Sequence, residues 1–411
     1  MTRRTLFLAV PAVLALASAA LTPTASAAPS PAGLAHRNVR VCSAPASGDV
    51  ACHAIRHETI TSNGRVISNA TPAGYGPGDL QLAYGLPSAT SGAGQVVAIV
   101  DAYNDPNALS DVNTYRSQFG TSALPTCTKP SPSLSNNRPC FSKVNQKGQA
   151  SGYPRNNGGW AQEISLDLDM VSAVCPNCSI LLVEASSATF ANLGTAVNRA
   201  AVLGATEISN SYGGGESSSD SNYDASYFNH PGVAITASSG DGGYGVEYPA
   251  ASQYVTAVGG TSLSRSTSSR GWSETAWSGS GSGCSAYDPQ PKWQSSFVTN
   301  IVCARRAVAD VSAVADPYTG VAVYDSYNYQ GVGGWLVFGG TSVSSPLIAS
   351  VYALAGNANT FSYGTFPYSH TSALNDVNSG SNGSCGTVLC NATPGWDGPT
   401  GLGTPSGTGA F

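Results

Sequence analysis

From residue 95 onward, unbroken apolar runs of strand length alternate with segments of helical pattern. QVVAIVDAY (Gln95–Tyr103) is such a run, and PNALSDVNTYRSQFG (Pro106–Gly120) reads as a helix. The alternation continues with a helix at Trp160–Val174, a strand at Ser179–Ala185, a helix at Phe190–Leu203 and strands at Glu207–Tyr212 and Val233–Gly240. Strands apolar on both faces and separated by helices predict an α/β fold, a mostly parallel central sheet with helices on both faces. Reactive groups in such a sheet sit in loops beyond the carboxyl ends of the strands. A last strand, Trp335–Ser342, feeds a helix starting near Ser344, which puts Ser342 at a strand-to-helix turn with its hydroxyl toward solvent. Residues 262–317 are Ser/Gly-rich with isolated tryptophans and are expected to form long surface loops rather than a separate domain. No internal repeat is evident.

The first residues follow a different pattern. Arg3 and Arg4 precede an apolar run from Leu6 to Leu21 and the small-residue site Ala25-Ser26-Ala27, the arrangement of a secretory signal peptide cut after Ala27. Residues 28–78 read as a short leader or pro-segment, holding His36, His53 and His57 of the five histidines. No later segment has the roughly 18 uninterrupted apolar residues of a membrane helix, so a secreted, extracellular chain is expected.

Composition narrows the partners. Charged residues make up 10% of the chain and the net charge is −5, which offers no electrostatic footprint for nucleic acid or an anionic membrane. The ten cysteines fall into five near neighbours: Cys42 and Cys52, Cys127 and Cys140, Cys175 and Cys178, Cys284 and Cys303, Cys385 and Cys390. In an exported chain this argues for local disulfides. A zinc or redox reading of Cys175-Pro-Asn-Cys178 lacks a matching second pair.

The candidate chemistry centres on GGTSVSSP, which contains Ser342. A serine hydroxyl needs a base within hydrogen-bond reach to act as a nucleophile, although such a turn also serves as a plain helix cap. His230 and His370 are the histidines outside the leader, and neither lies in a His-Gly-Thr-His setting. Glu163 and Asp167, at i and i+4, share one face of the Trp160–Val174 helix, and Ile164, Leu166, Leu168, Met170, Val171 and Val174 make that helix apolar nearly all round. Burial and mutual repulsion raise carboxyl pKa values, and two carboxyls in contact can share a proton. Asp241 follows a strand in SSGDGGYG, where the flanking glycines permit close backbone approach to a ligand. An aspartate in a tight turn is also an ordinary structural feature.

Together these segments resemble the sedolisin family of secreted serine-carboxyl peptidases, which have a subtilisin-like fold and a Ser-Glu-Asp triad. The resemblance runs from about Gly74 to Phe411. It rests on IVDAYNDP, the Glu163 to Asp167 spacing, SSGDGG, RAVADVSAVADP, GGTSVSSP, DVNSGSNGSC and PGWDGPTGLGTP. It implies a peptidase domain over residues 79–411, with Ser342 as nucleophile, Glu163 as its base, Asp167 orienting Glu163, and Asp241 as the oxyanion-hole acid. It also implies a structural calcium ion held by Asp376 and Asp397 with the carbonyls of Val377, Thr393 and Gly395, hard oxygen donors suited to that ion. Thr393 stands where the family often has glycine. A further departure is the leader, far shorter than the family's usual folded propeptide. The expected activity is that of a monomeric, acid-acting endopeptidase on protein or peptide substrates. The competing readings are a non-catalytic binding module on the same fold and a Ser-His-Asp esterase using His370.

Overall fold

The computed structural model describes residues 1–2, 34–46, 48–67, 69–299, 301–360 and 363–411. The expected signal peptide lies outside the described residues, apart from its first two.

Eight strands form the central sheet: β1 (Val96–Ala102), β2 (Phe141–Asn145), β3 (Ser179–Ala185), β4 (Glu207–Asn210), β5 (Ala234–Ser238), β6 (Thr256–Arg265), β7 (Trp272–Ala276) and β8 (Val311–Val314). Their order is β7-β6-β5-β4-β1-β3-β2, with β8 also on β6. All pairings are parallel except β6 with β7. Every residue of β1 and β3 is buried, as unbroken apolar runs require in a sheet covered on both sides. This is the subtilisin-like α/β architecture.

The helices that matter for the site are α1 (Ala108–Gln118), α2 (Gly158–Val174), α3 (Phe190–Val202) and α4 (Thr341–Ala355). The side chain of Asn157 caps α2 by accepting from the Trp160 N–H at 3.2 Å. From Gly159 to Val174 every residue of α2 is buried, in keeping with its apolar circumference. It packs along α4, which is buried from Thr341 to Leu354. This contact between two interior helices brings the Glu163 face to Ser342.

Three local expectations change. Helix α4 begins at Thr341 rather than near Ser344, so Ser342 stands inside its first turn, and Ser342 is fully buried rather than facing solvent. The strand before it, Val332–Gly339, belongs to a separate antiparallel sheet with Val321–Tyr329, Ile55–Ile60 and Ala35–Arg40. Residues 262–317 are not surface loops throughout: they hold the end of β6, then β7 and β8, with Trp272, Trp277 and Val298 buried. Arg306 and Asp310, both fully buried, form an ion pair there. Asp310 also accepts from Tyr368 Oη at 2.7 Å. These residues are ordered by contacts distant in sequence, which leave no periodic trace in a Ser/Gly-rich stretch.

All five neighbouring cysteine pairs are disulfides, Cys175–Cys178 included. No helix among the described residues is long and apolar enough to cross a membrane. Within residues 28–78, read as a leader, residues 48–60 are built into the body: Ile55–Ile60 pairs with Val332–Gly339, and His53 is 2% exposed.

Candidate active site

The turn into α4 depends on Gly340, whose φ of 95° suits glycine. A Cβ there would stand 1.8 Å from the His53 carbonyl oxygen, so no larger residue fits. Two residues on, the Ser342 hydroxyl donates to the Ser211 carbonyl at 3.3 Å and lies beside the Glu163 carboxyl. Glu163 is in turn hydrogen-bonded to Asp167 one turn along α2. Asp167 Oδ1 accepts from Ser211 Oγ at 2.8 Å, and Glu163 Oε2 accepts from the Ala54 N–H at 2.9 Å. Glu163 Oε1 and Asp167 Oδ2 receive no donor from other groups, so one proton shared between the two acids satisfies both.

Electrostatics favour that shared proton. Burial, then the nearby Asp101 carboxylate, pushes Glu163 well above its ordinary pKa. Burial, Asp101 and Glu163 do the same to Asp167. Asp101, at the end of β1, is fully buried and neither of its oxygens has a hydrogen-bond partner. The sequence reading quoted it only within IVDAYNDP. Its signal was there, since a lone carboxylate in an all-apolar strand is costly without a purpose.

Asp241 lies across the turn. Its Oδ1 accepts from Thr341 N at 2.8 Å and Thr341 Oγ1 at 2.9 Å, while Oδ2 is buried and receives no hydrogen bond. Burial raises its pKa, opposed by His53, by the Thr341 N–H and by Arg40, whose Nη1 is 3.9 Å from Oδ2. A buried carboxyl with one free oxygen aimed at the turn before Ser342 is suited, when protonated, to donate a hydrogen bond to an oxyanion.

The histidine nearest this site is one the sequence reading left in the leader. His53 Nδ1 meets Ser238 Oγ at 2.6 Å and Nε2 meets Glu247 Oε2 at 2.9 Å. Burial alone would lower its pKa, but the Glu247 carboxylate raises it above the ordinary value. His370 is exposed, stacked on Phe366, and hydrogen-bonds Ser369 Oγ and the Phe366 carbonyl in its own short helix. His230 bonds Asn198 at 2.8 Å. Neither is brought to Ser342.

The C-terminal loop also converges. Asp376 Oδ2 accepts from Gly395 N and Asp397 Oδ2 from Thr393 N, each at 3.0 Å, while the Thr400 hydroxyl, 2.8 Å from Asp397 Oδ1, reaches the Val377 carbonyl at 3.5 Å. Burial pushes Asp397 up to about 7, and the neighbouring Asp376 adds to the rise. Two aspartates on one loop, with the Val377 carbonyl near Asp397 through Thr400, are hard oxygen donors of the kind calcium takes. A second acidic group, Glu216, Asp220 and Asp288, brings three carboxylate oxygens within 4.8 Å of one another and could hold a metal ion. The sequence reading did not single it out.

Comparison with known proteins bears on the fold and the family. The chain is 30% identical over 378 residues to kumamolisin of Bacillus sp. (strain MN-32), covering 82% of this chain and 63% of that one. It is 27% identical over 385 residues to sedolisin of Pseudomonas sp. (strain 101), covering 84% and 62%. It thus spans a little under two thirds of the length of these relatives. No family model matches the sequence. Among solved structures, Pseudomonas sedolisin, a serine-carboxyl proteinase complexed with two molecules of pseudo-iodotyrostatin, superposes with a TM-score of 0.65 at 26% identity, covering 82% of this chain and 96% of that one. A psychrophilic protease, S41, shares the fold at 19% identity with a TM-score of 0.50. By sequence over four fifths of its length and by its fold, the chain belongs to the sedolisin family.

Proposed function

We propose that the protein is a secreted serine-carboxyl endopeptidase that works at acidic pH through an acyl-enzyme on Ser342. The observation that carries this reading is the buried line of neighbours Ser342, Glu163 and Asp167, with the free oxygen of Asp241 across the turn. Ser342 Oγ attacks the substrate carbonyl carbon as Glu163 takes its proton; Glu163 then gives that proton to the leaving amine. Asp167, sharing a proton with Glu163, holds its carboxyl toward the serine. Protonated Asp241 and a backbone N–H stabilise the oxyanion, and water releases the acyl group.

An endopeptidase is favoured over an aminopeptidase by the peptide that already crosses the site. Ala54 donates to Glu163 from the middle of a chain that continues in both directions. Calcium, bound by Asp376, Asp397 and the carbonyls of Val377, Thr393 and Gly395, would tie the C-terminal loop to the body and take no part in the chemistry. Export is supported by the residue 1–27 pattern and the five disulfides. We infer a monomer acting on protein and peptide substrates.

The test is hydrolysis of a denatured protein across pH, with Ser342→Ala as control and mass analysis of the products. Internal fragments at acidic pH, absent with the variant, are expected. Intact substrate at every pH would leave a binding module, and tripeptides alone would replace the endopeptidase with an exopeptidase.

A further inference from the structure

Four carboxylates gather where the strand Tyr212–Gly215 ends. Glu216 follows that strand directly, Asp220 opens the short helix Asp220–Tyr223, Asp224 follows that helix, and Asp288 comes from the loop closed by the Cys284–Cys303 disulfide. One oxygen each from Glu216, Asp220 and Asp288 lie within 4.8 Å of one another. Asp220 and Asp288 are fully buried, while Glu216 is half-buried and leaves a way in from solvent.

The protein supplies little to balance this charge. Glu216 accepts from Ser285 Oγ and, at 3.2 Å, from Ala286 N; Asp220 accepts from Ser217 N and Oγ, each at 2.9 Å. Asp288 Oδ1 receives no hydrogen bond, and Oδ2 is approached by Ser285 Oγ at 3.5 Å. The single proton of that hydroxyl is already given to Glu216, so the buried Asp288 carboxylate is in effect without a donor. Asp224 accepts from Tyr248 Oη at 3.0 Å and adds its own negative charge. Among the described residues no ion pair involves any of the four. Arg306 has both terminal nitrogens on Asp310, and Arg305 donates to the Tyr287 carbonyl. Burial, and then Asp224, Asp220 and Glu216, push Asp288 up to about 8. Anions so poorly balanced take up protons or a cation.

The donor set points to the kind of cation. It is all carboxylate oxygen, with no histidine or cysteine, which suits a hard ion rather than zinc or copper. Calcium sits about 2.3–2.6 Å from its ligands, so oxygens on one ion lie up to about 4.6–5.2 Å apart, and the observed spacing admits it. We propose that Glu216, Asp220 and Asp288 bind a calcium ion, distinct from the one assigned to Asp376 and Asp397, that ties the Cys284–Cys303 loop to the strand beside Ser342. The strand concerned begins directly after Ser211, whose carbonyl receives the Ser342 hydroxyl, and pairs with Glu247–Tyr248 and Ala51–Cys52. The ion would hold the end of that strand through Glu216 and the loop through Asp288. Its binding does not depend on the peptidase reading.

The experiment counts calcium on the purified, secreted protein carrying Ser342→Ala, which keeps the chain intact, after dialysis near neutral pH against calcium in the millimolar range, with circular dichroism to verify folding. This parent should hold two ions. Asp288→Asn should hold one, and so should Glu216→Gln, whose half-buried position makes it the deciding variant if Asp288→Asn does not fold. Asp397→Asn should also hold one. Trypsin reads the tie between loop and strand: calcium should slow cutting after Lys292 and Arg305, both exposed and in or beside the loop, in the parent and not in Glu216→Gln. A count that folded Asp288→Asn and Glu216→Gln leave unchanged overturns the site, and equal cutting of the parent with and without calcium overturns the tie. One ion in the parent, lost in Asp288→Asn, supports this site and removes the Asp376–Asp397 one. One ion lost only in Asp397→Asn overturns this site, and no ion at all removes both.

Discussion

Replacing Asp241 by asparagine tests the proposal that this group ties activity to acid. Thr341 N and Oγ1 both lie within 2.9 Å of Asp241 Oδ1, and in asparagine the carbonyl oxygen keeps the place facing the Thr341 N–H. The amide NH2 is then directed to the position of Oδ2, which has no partner. The variant thus presents a donor that does not titrate. In the wild type the donor exists only while Asp241 is protonated, and burial raises its pKa above the ordinary range. Above that pKa the protonated fraction falls about tenfold per pH unit until the oxyanion is served without this donor. The loss of one such donor is typically about a hundredfold to a thousandfold, or about 2.7–4 kcal/mol. The assay is kcat/KM on one internally quenched peptide from about pH 3 to pH 8, for wild type and Asp241→Asn. The wild-type alkaline limb should descend by about that factor, and the variant should be flatter over the same range even if its peak is lower. A wild-type optimum near pH 8, or an alkaline limb that the substitution leaves unmoved, refutes the role of Asp241.

Stability should also favour acid. Burial raises Asp105 to about 8, Glu207 to about 8 and Glu184 to about 7. The unfolded chain releases these protons near pH 4 while the folded chain keeps them, so stability is full below about pH 4 and declines toward pH 7–8, by up to about 1.4 kcal/mol per pH unit for each group. Calorimetry should give a lower Tm at neutral pH than at pH 4; a Tm that rises steadily over that interval contradicts this. Chelation of calcium should lower Tm as well, by the equivalent of about 2.7 kcal/mol if the ion was present at a hundred times its Kd. An unchanged Tm, with no calcium found by metal analysis, removes the Asp376–Asp397 site.

What could be read in the sequence was local. The spacing of Glu163 and Asp167 in a helix apolar nearly all round told that two carboxyls would be buried side by side, and β1 and β3 follow from unbroken apolar runs. Ser342 was read at a turn ahead of its helix, whereas it stands in the helix's first turn, and its burial was not foreseen, because the neighbouring His53 segment comes from nearly three hundred residues away. The segment Val50–Ala54 has no pattern of its own; its strand exists because Tyr212–Gly215 offers an edge. His53 looked like one of three leader histidines for the same reason. The buried Arg306–Asp310 pair sits in a stretch whose composition suggested loops, since tertiary contacts order it.

The central claim is that a carboxylate, and no histidine, takes the proton of Ser342. The most direct test is kcat for Glu163→Gln beside His370→Ala and His230→Ala on the same peptide at the wild-type optimum, with circular dichroism to verify folding. Loss of a general base typically costs about a hundredfold to ten-thousandfold. The account predicts a fall of at least that size for Glu163→Gln and turnover near wild type for both histidine variants. A folded Glu163→Gln protein that cleaves at the wild-type rate, or a histidine variant that loses activity instead, contradicts it.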